Sequence, residues 1–122
     1  MVERCLEPEC PGKLDAELLR PGPADDCVLK PKHSTFFSTT LDTLLRYLGT
    51  EMVVIGSFVA DICVLFTAND AYMRDLRNVI ASDGVASNNP ADRDAALALV
   101  RRVLIGATPR SGKVDFTALA SL

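Results

Sequence analysis

With 122 residues, 48% of them apolar and 24% charged, and a net charge of −3, the chain is long enough for one ordinary soluble domain with its own core. The mildly acidic balance, with Lys and Arg scattered, speaks against a nucleic-acid surface, which would need a basic stripe. No apolar run approaches the roughly 20 residues that cross a bilayer, and the opening MVERCLEP lacks the basic-then-apolar order of an export signal; a cytoplasmic protein with no membrane and no nucleic-acid partner is expected.

Cys5, Cys10, Cys27 and Cys63 are expected to be reduced, since a chain this rich in aliphatic residues does not need staples. They contain no C-x-x-C spacing, and the single histidine, His33, lies away from any such pair. Neither a structural zinc site nor a cofactor is expected.

Residues 1–26 hold four prolines, two glycines and one short periodic piece, LDAELL (14–19), and read as a loop-rich lead-in to an α/β domain over 27–122. CVLK (27–30) is a short strand candidate stopped by Pro31. Leu41, Leu44, Leu45 and Leu48 then share one helical face, with Thr39 or Thr40 as N-cap and Gly49 as the stop. MVVIG (52–56) does not alternate, as suits a strand covered on both faces.

A second helix is expected over 61–76, with Ile62, Leu65, Phe66, Met73 and Leu76 inward, followed by a strand, NVIAS (78–82), and a loop, DGVASNNP. Asn89 as cap and Pro90 at the first position begin a third helix that turns Ala95, Ala96, Leu99, Val100, Val103 and Leu104 inward. GATPRSGK lacks the spacing and the preceding strand of a phosphate-binding loop, and KVDFTAL (113–119) is a candidate edge strand. Apolar strands alternating with helices imply βαβ units around a mainly parallel sheet, in three α/β/α layers, with the reactive crevice beyond the carboxyl ends of the strands.

Cys63 falls at such an end, in the first turn of the helix that follows 52–56. Unpaired amides and the peptide dipoles favour a thiolate there and can hold a developing oxyanion. A free cysteine is as often a buried space-filler, and Asp61 opposes a thiolate if its carboxylate turns toward the sulfur; position leaves both interpretations open.

GSFVADICVLFTANDAYMRDLRNVIASDGVAS (56–87) resembles the nucleophile segment of the isochorismatase-like cysteine hydrolases, and LKPKHSTFFSTTLDTLLRYLG (29–49) is similar to their lysine segment. The resemblance covers about residues 12 to 100. It implies Cys63 as nucleophile and Lys30 as catalytic lysine, in preference to Lys32, whose distance to Ser34 does not fit the pattern. It also implies a cis peptide at Phe58-Val59, with the backbone amides of Val59 and Cys63 as oxyanion donors. Phe36 and Phe58 are candidate pocket walls, although aromatic residues beside apolar helices more often complete the core; His33 matches a position where the family often has a bulky residue beside the site, and a solvent-facing loop histidine is expected.

The resemblance implies hydrolysis of a small amide or carbamoyl C–N substrate through an acyl-cysteine. DAYMRDL and the seven-residue step from Gly56 to Cys63 resemble the branch acting on a vinyl ether, which leaves the substrate open. Family enzymes also begin with an aspartate-bearing strand that supplies the base, and nicotinamidase-like relatives keep a metal near it. None of Glu3, Glu7, Glu9, Asp15, Glu17, Asp25 and Asp26 follows an apolar run of that kind, so no base and no metal ligand is assigned. Without those first strands the sheet is expected to be incomplete: either the chain is truncated at its N-terminus, or a partner chain or rearranged pairing fills the gap, and a homo-oligomer is expected. The competing class is a non-catalytic remnant acting as an interaction or oligomerisation module.

Overall fold

A computed structural model describes Arg4 and residues 6–117; Glu3 and Cys5 lie outside the described residues, as does the side chain of Asp15. The elements in order are α1 (Lys13–Leu18), α2 (Leu41–Tyr47), β1 (Met52–Phe58), a π-helical turn (Ala60–Val64) that runs into α3 (Leu65–Tyr72), β2 (Arg77–Ala86), α4 (Pro90–Val103) and a 3-10 turn (Ser111–Lys113). Local chemistry explains the boundaries. The Asn89 side chain accepts the Asp92 amide at 2.9 Å and Pro90 opens α4, while Gly49, at φ +63°, ends the turn after α2 in the left-handed region.

β1 and β2 are parallel, in register from Met52 opposite Arg77 to Ile55 opposite Ile80. The register then shifts, and Ser57 pairs with Val85. At the shift, a Cβ on Gly56 would stand 3.2 Å from the Gly84 carbonyl oxygen, a close approach that suits glycine. β2 therefore continues through 83–86, where a loop was expected: the bulge absorbs the extra residues and lets pairing resume.

The π turn, α3 and α4 bury their small and aliphatic side chains on the sheet face that carries Ile80, with Ile55 packed against the cluster. Thr67, Ala68 and Ala71 are the buried positions of α3, continuing from Val64 of the π turn, whereas Phe66 and Met73, expected inward, are exposed. Alanines let α3 approach its neighbours closely, and that geometry turns the larger residues out. In α4 the buried positions are Ala96, Leu97, Val100 and Leu104; Ala95 and Val103, expected inward, are exposed because the stripe is rotated toward Leu97.

Two expected strands are corrected. Residues 27–30 form no strand and, Val28 apart, are exposed, since no described segment offers them a ladder. Residues 113–117 form no strand either: the Asp115 carboxylate accepts the Thr117 amide at 3.0 Å and turns the chain, and the rest of that candidate, 118–119, lies outside the described residues. The second neighbour of β2 comes instead from 107–109, where the Ile80 amide donates to the Ala107 carbonyl at 2.8 Å and the Ser82 amide to the Pro109 carbonyl at 2.8 Å. β1 is more open than expected, with Val54 40% exposed, because β2 is its sole strand partner among the described residues. No helix among them is long and apolar enough to cross a membrane.

Candidate active site

The site lies past the carboxyl ends of β1 and β2. The Val64 amide reaches back five residues to the Val59 carbonyl at 3.2 Å, and the Ile62 amide donates to the same oxygen at 3.3 Å, which winds 60–64 as a π turn rather than the α-helical turn expected. Such single turns insert one residue and re-aim a side chain, and they are frequent at functional sites. Cys63 is carried on this turn, half-buried, and the Phe58-Val59 peptide just before it is cis.

Lys30 arrives from the coil before the 34–36 segment. Its Nζ donates to the Lys32 carbonyl at 3.2 Å and approaches Cys63 Sγ at 3.5 Å. Lys32 thus contributes its backbone oxygen as an anchor for Lys30. The imidazole of His33 comes to the same sulfur, Nδ1 at 3.9 Å, and is exposed as expected. Its ring rests against Phe66, with centroids 5.9 Å apart and planes tilted by 36°. The proximity of His33 to Cys63 was not legible from spacing, since 30 residues separate them.

The Asp61 carboxylate accepts a hydrogen bond from Ser87 Oγ, beyond the end of β2. That carboxylate is therefore engaged by Ser87, and no hydrogen bond joins it to the thiol it would oppose if turned toward the sulfur. Among the described residues Lys30 makes no ion pair with a carboxylate. Asp25 instead accepts the Gly22 amide at 2.7 Å, and Glu17 pairs with Lys13 at 3.4 Å. No group of three or more His, Cys, Asp or Glu among the described residues is placed to hold a metal ion. Cys10 and Cys27 are free thiols, as is Cys63.

The segment that delivers Lys30 and His33 is fastened to α3 just beyond them. Ser34 Oγ donates to Asp70, whose other oxygen meets Arg74 at 3.3 Å, and the Thr35 amide donates to Thr67 Oγ1 at 3.1 Å. Phe36 is buried beneath the Arg74 guanidinium, 4.6 Å from its ring centroid, and lines a small cavity of about 230 Å³ with Leu41, Leu45 and Ile55. Phe58 is 62% exposed at the end of β1. A larger cavity, about 710 Å³, lies at the opposite, amino end of the strands, where Met52, Arg77 and Leu104 line it.

The sequence profile of the Isochorismatase domain matches residues 2–112. The chain is 40% identical over 102 residues to the uncharacterized isochorismatase family protein YaaI of Bacillus subtilis, a match covering 81% of this chain and 56% of that protein. It is 32% identical over 74 residues to the ureidoacrylate amidohydrolase RutB of Methylorubrum extorquens, covering 61% of this chain and 30% of RutB. Among solved structures, the N-carbamoylsarcosine amidase of Thermoplasma acidophilum superposes with a TM-score of 0.70 at 35% identity, over 79% of this chain and 54% of that one. An isochorismatase family protein of Burkholderia thailandensis gives 0.76 at 28% identity, over 80% and 51%. The chain spans about half or less of the length of these relatives.

Proposed function

The chain belongs to the isochorismatase-like hydrolase family, and from that premise we propose that it is a cysteine hydrolase acting on a small amide or carbamoyl compound. The observation that carries this is the 3.5 Å approach of Lys30 Nζ to Cys63 Sγ at the carboxyl ends of two parallel strands. An ammonium beside the sulfur stabilises both the thiolate and the oxyanion that follows attack. Cys63 adds to the carbonyl carbon, the amine leaves, and water clears the acyl-cysteine. The amides of Val59 and Cys63 are the oxyanion donors in this proposal, and exposed Phe58 is an apolar wall for the substrate. Phe36, buried beneath Arg74, contributes from behind by fixing the 34–36 segment.

The working unit is the 27–122 domain with its 1–26 lead-in, acting in the cytoplasm. Release of ammonia or amine from a panel of small primary amides and N-carbamoyl compounds tests the proposal. The wild-type chain turns over at least one class and Cys63→Ala none; a Cys63→Ala variant with wild-type turnover contradicts it. We also propose self-association through β1, favoured by its single described strand partner and by the exposure of Val54 and Phe58. Sedimentation of the wild-type chain as a monomer across the micromolar range excludes that association.

A further inference from the structure

We propose that His33 is a catalytic acid and base working directly on Cys63, an assignment that rests on Cys63 being the nucleophile. Three observations carry it. His33 Nδ1 lies 3.9 Å from Sγ, a separation of the kind that closes when substrate binds. The ring is tilted against that of Phe66, centroids 5.9 Å apart, which gives that exposed aromatic of α3 a role that core packing does not. The following residues, Ser34 and Thr35, are bonded to Asp70 and Thr67, so the backbone that bears His33 is fixed on the same helix that follows the nucleophile.

The charged groups around the pair leave this task to the imidazole. Lys30 offers a cation to the sulfur, Asp61 is bonded to Ser87, and Asp70 is bonded to Ser34 and Arg74. His33 is the one histidine of the chain and the one acid-base side chain, apart from Lys30, in contact with Sγ among the described residues.

The reaction begins when the Cys63 proton passes to His33 Nδ1, which leaves a thiolate beside an imidazolium. Sulfur forms a bond to the substrate carbonyl carbon, the C–N bond breaks, and the imidazolium proton leaves with the amine; His33 is then neutral. Neutral His33 takes a proton from water as the water oxygen bonds the acyl carbon. The S–C bond breaks, the carboxylic acid departs, and thiolate and imidazolium are restored.

p-Nitrophenyl acetate separates the two steps, because its leaving group departs without an acid. The wild-type chain should turn it over, and Cys63→Ala should not. His33→Gln and His33→Asn, at an exposed position, should keep the p-nitrophenolate burst but lose steady-state turnover by about a hundredfold or more, a typical contribution of a positioned acid-base group. Acetyl-Cys63 should accumulate in both variants by intact mass, and imidazole in the buffer should restore turnover. Wild-type turnover by both His33 variants, with Cys63→Ala inactive, overturns the role of His33 and leaves the nucleophile standing. A wild-type chain no faster than Cys63→Ala overturns both.

Discussion

Residues 30–36 present two regions of opposite character within a few positions. Ser34, Thr35 and Phe36 are buried or half-buried and tied to Thr67, Asp70 and Arg74 of the α3 segment. Lys30 and His33 are exposed and meet the Cys63 sulfur. The first set carries the folding energy of the segment, since a buried donor that loses its acceptor costs more than an exposed pair contributes. The second set is left free to serve chemistry. An exposed charge can sit beside a thiol only if something else pins the backbone that bears it.

Breaking the anchors should therefore give the largest losses of stability. Asp70→Ala strands Ser34 and one arm of Arg74; about 1.5–3 kcal/mol is expected, as for hydrogen bonds to charged groups, measured by urea unfolding. The same variant should slow alkylation of Cys63, although Asp70 does not touch the sulfur. Thr67→Val preserves shape but leaves the Thr35 amide without its acceptor, with an expected cost of about 1 kcal/mol or somewhat more.

An exposed anchor sharpens the contrast. Asp83 accepts the Ser111 amide at 2.6 Å and its hydroxyl at 3.1 Å, with Arg110 3.6 Å away, which ties the 3-10 turn to the bulge of β2. These partners, the Ser111 amide foremost, hold its carboxyl below the ordinary value of 3.8. A lowered carboxyl stabilises the fold above its unfolded value and loses that contribution as pH falls through the folded one. Asp83→Asn should thus cost a little stability at neutral pH, and its difference from wild type in thermal melts should shrink below pH 3.8. Lys30→Met should change stability least, within about 0.5 kcal/mol, as for exposed sites generally.

How much of this was legible from the sequence depended on the range of the interactions. Thr39, Gly49, Asn89 and Pro90 act within a few residues, and the helix boundaries they imply are found close to where expected. The parallel pairing of 52–56 with 78–82 followed from apolar runs separated by a helix. Strand formation at 27–30 failed because a strand is defined by its neighbour, and its four residues say nothing about one. The inner face of α3 departs from its apolar pattern because small size, and not hydrophobicity, selects the buried positions: Ala68 and Ala71 are buried and Met73 is not. The Ser34 to Asp70 and His33 to Cys63 contacts join residues more than two dozen positions apart and carry no local periodicity.

The central claim, that the ammonium of Lys30 supports a reactive sulfur at Cys63, is tested most directly by one rate. Iodoacetamide labelling of Cys63 at neutral pH, resolved from Cys5, Cys10 and Cys27 by peptide mass spectrometry, should be about two- to fivefold slower in Lys30→Met than in wild type, the range an exposed charge pair of up to about 1 kcal/mol supplies. That difference should narrow as salt rises toward about 1 M. Equal labelling rates at low salt would contradict the account.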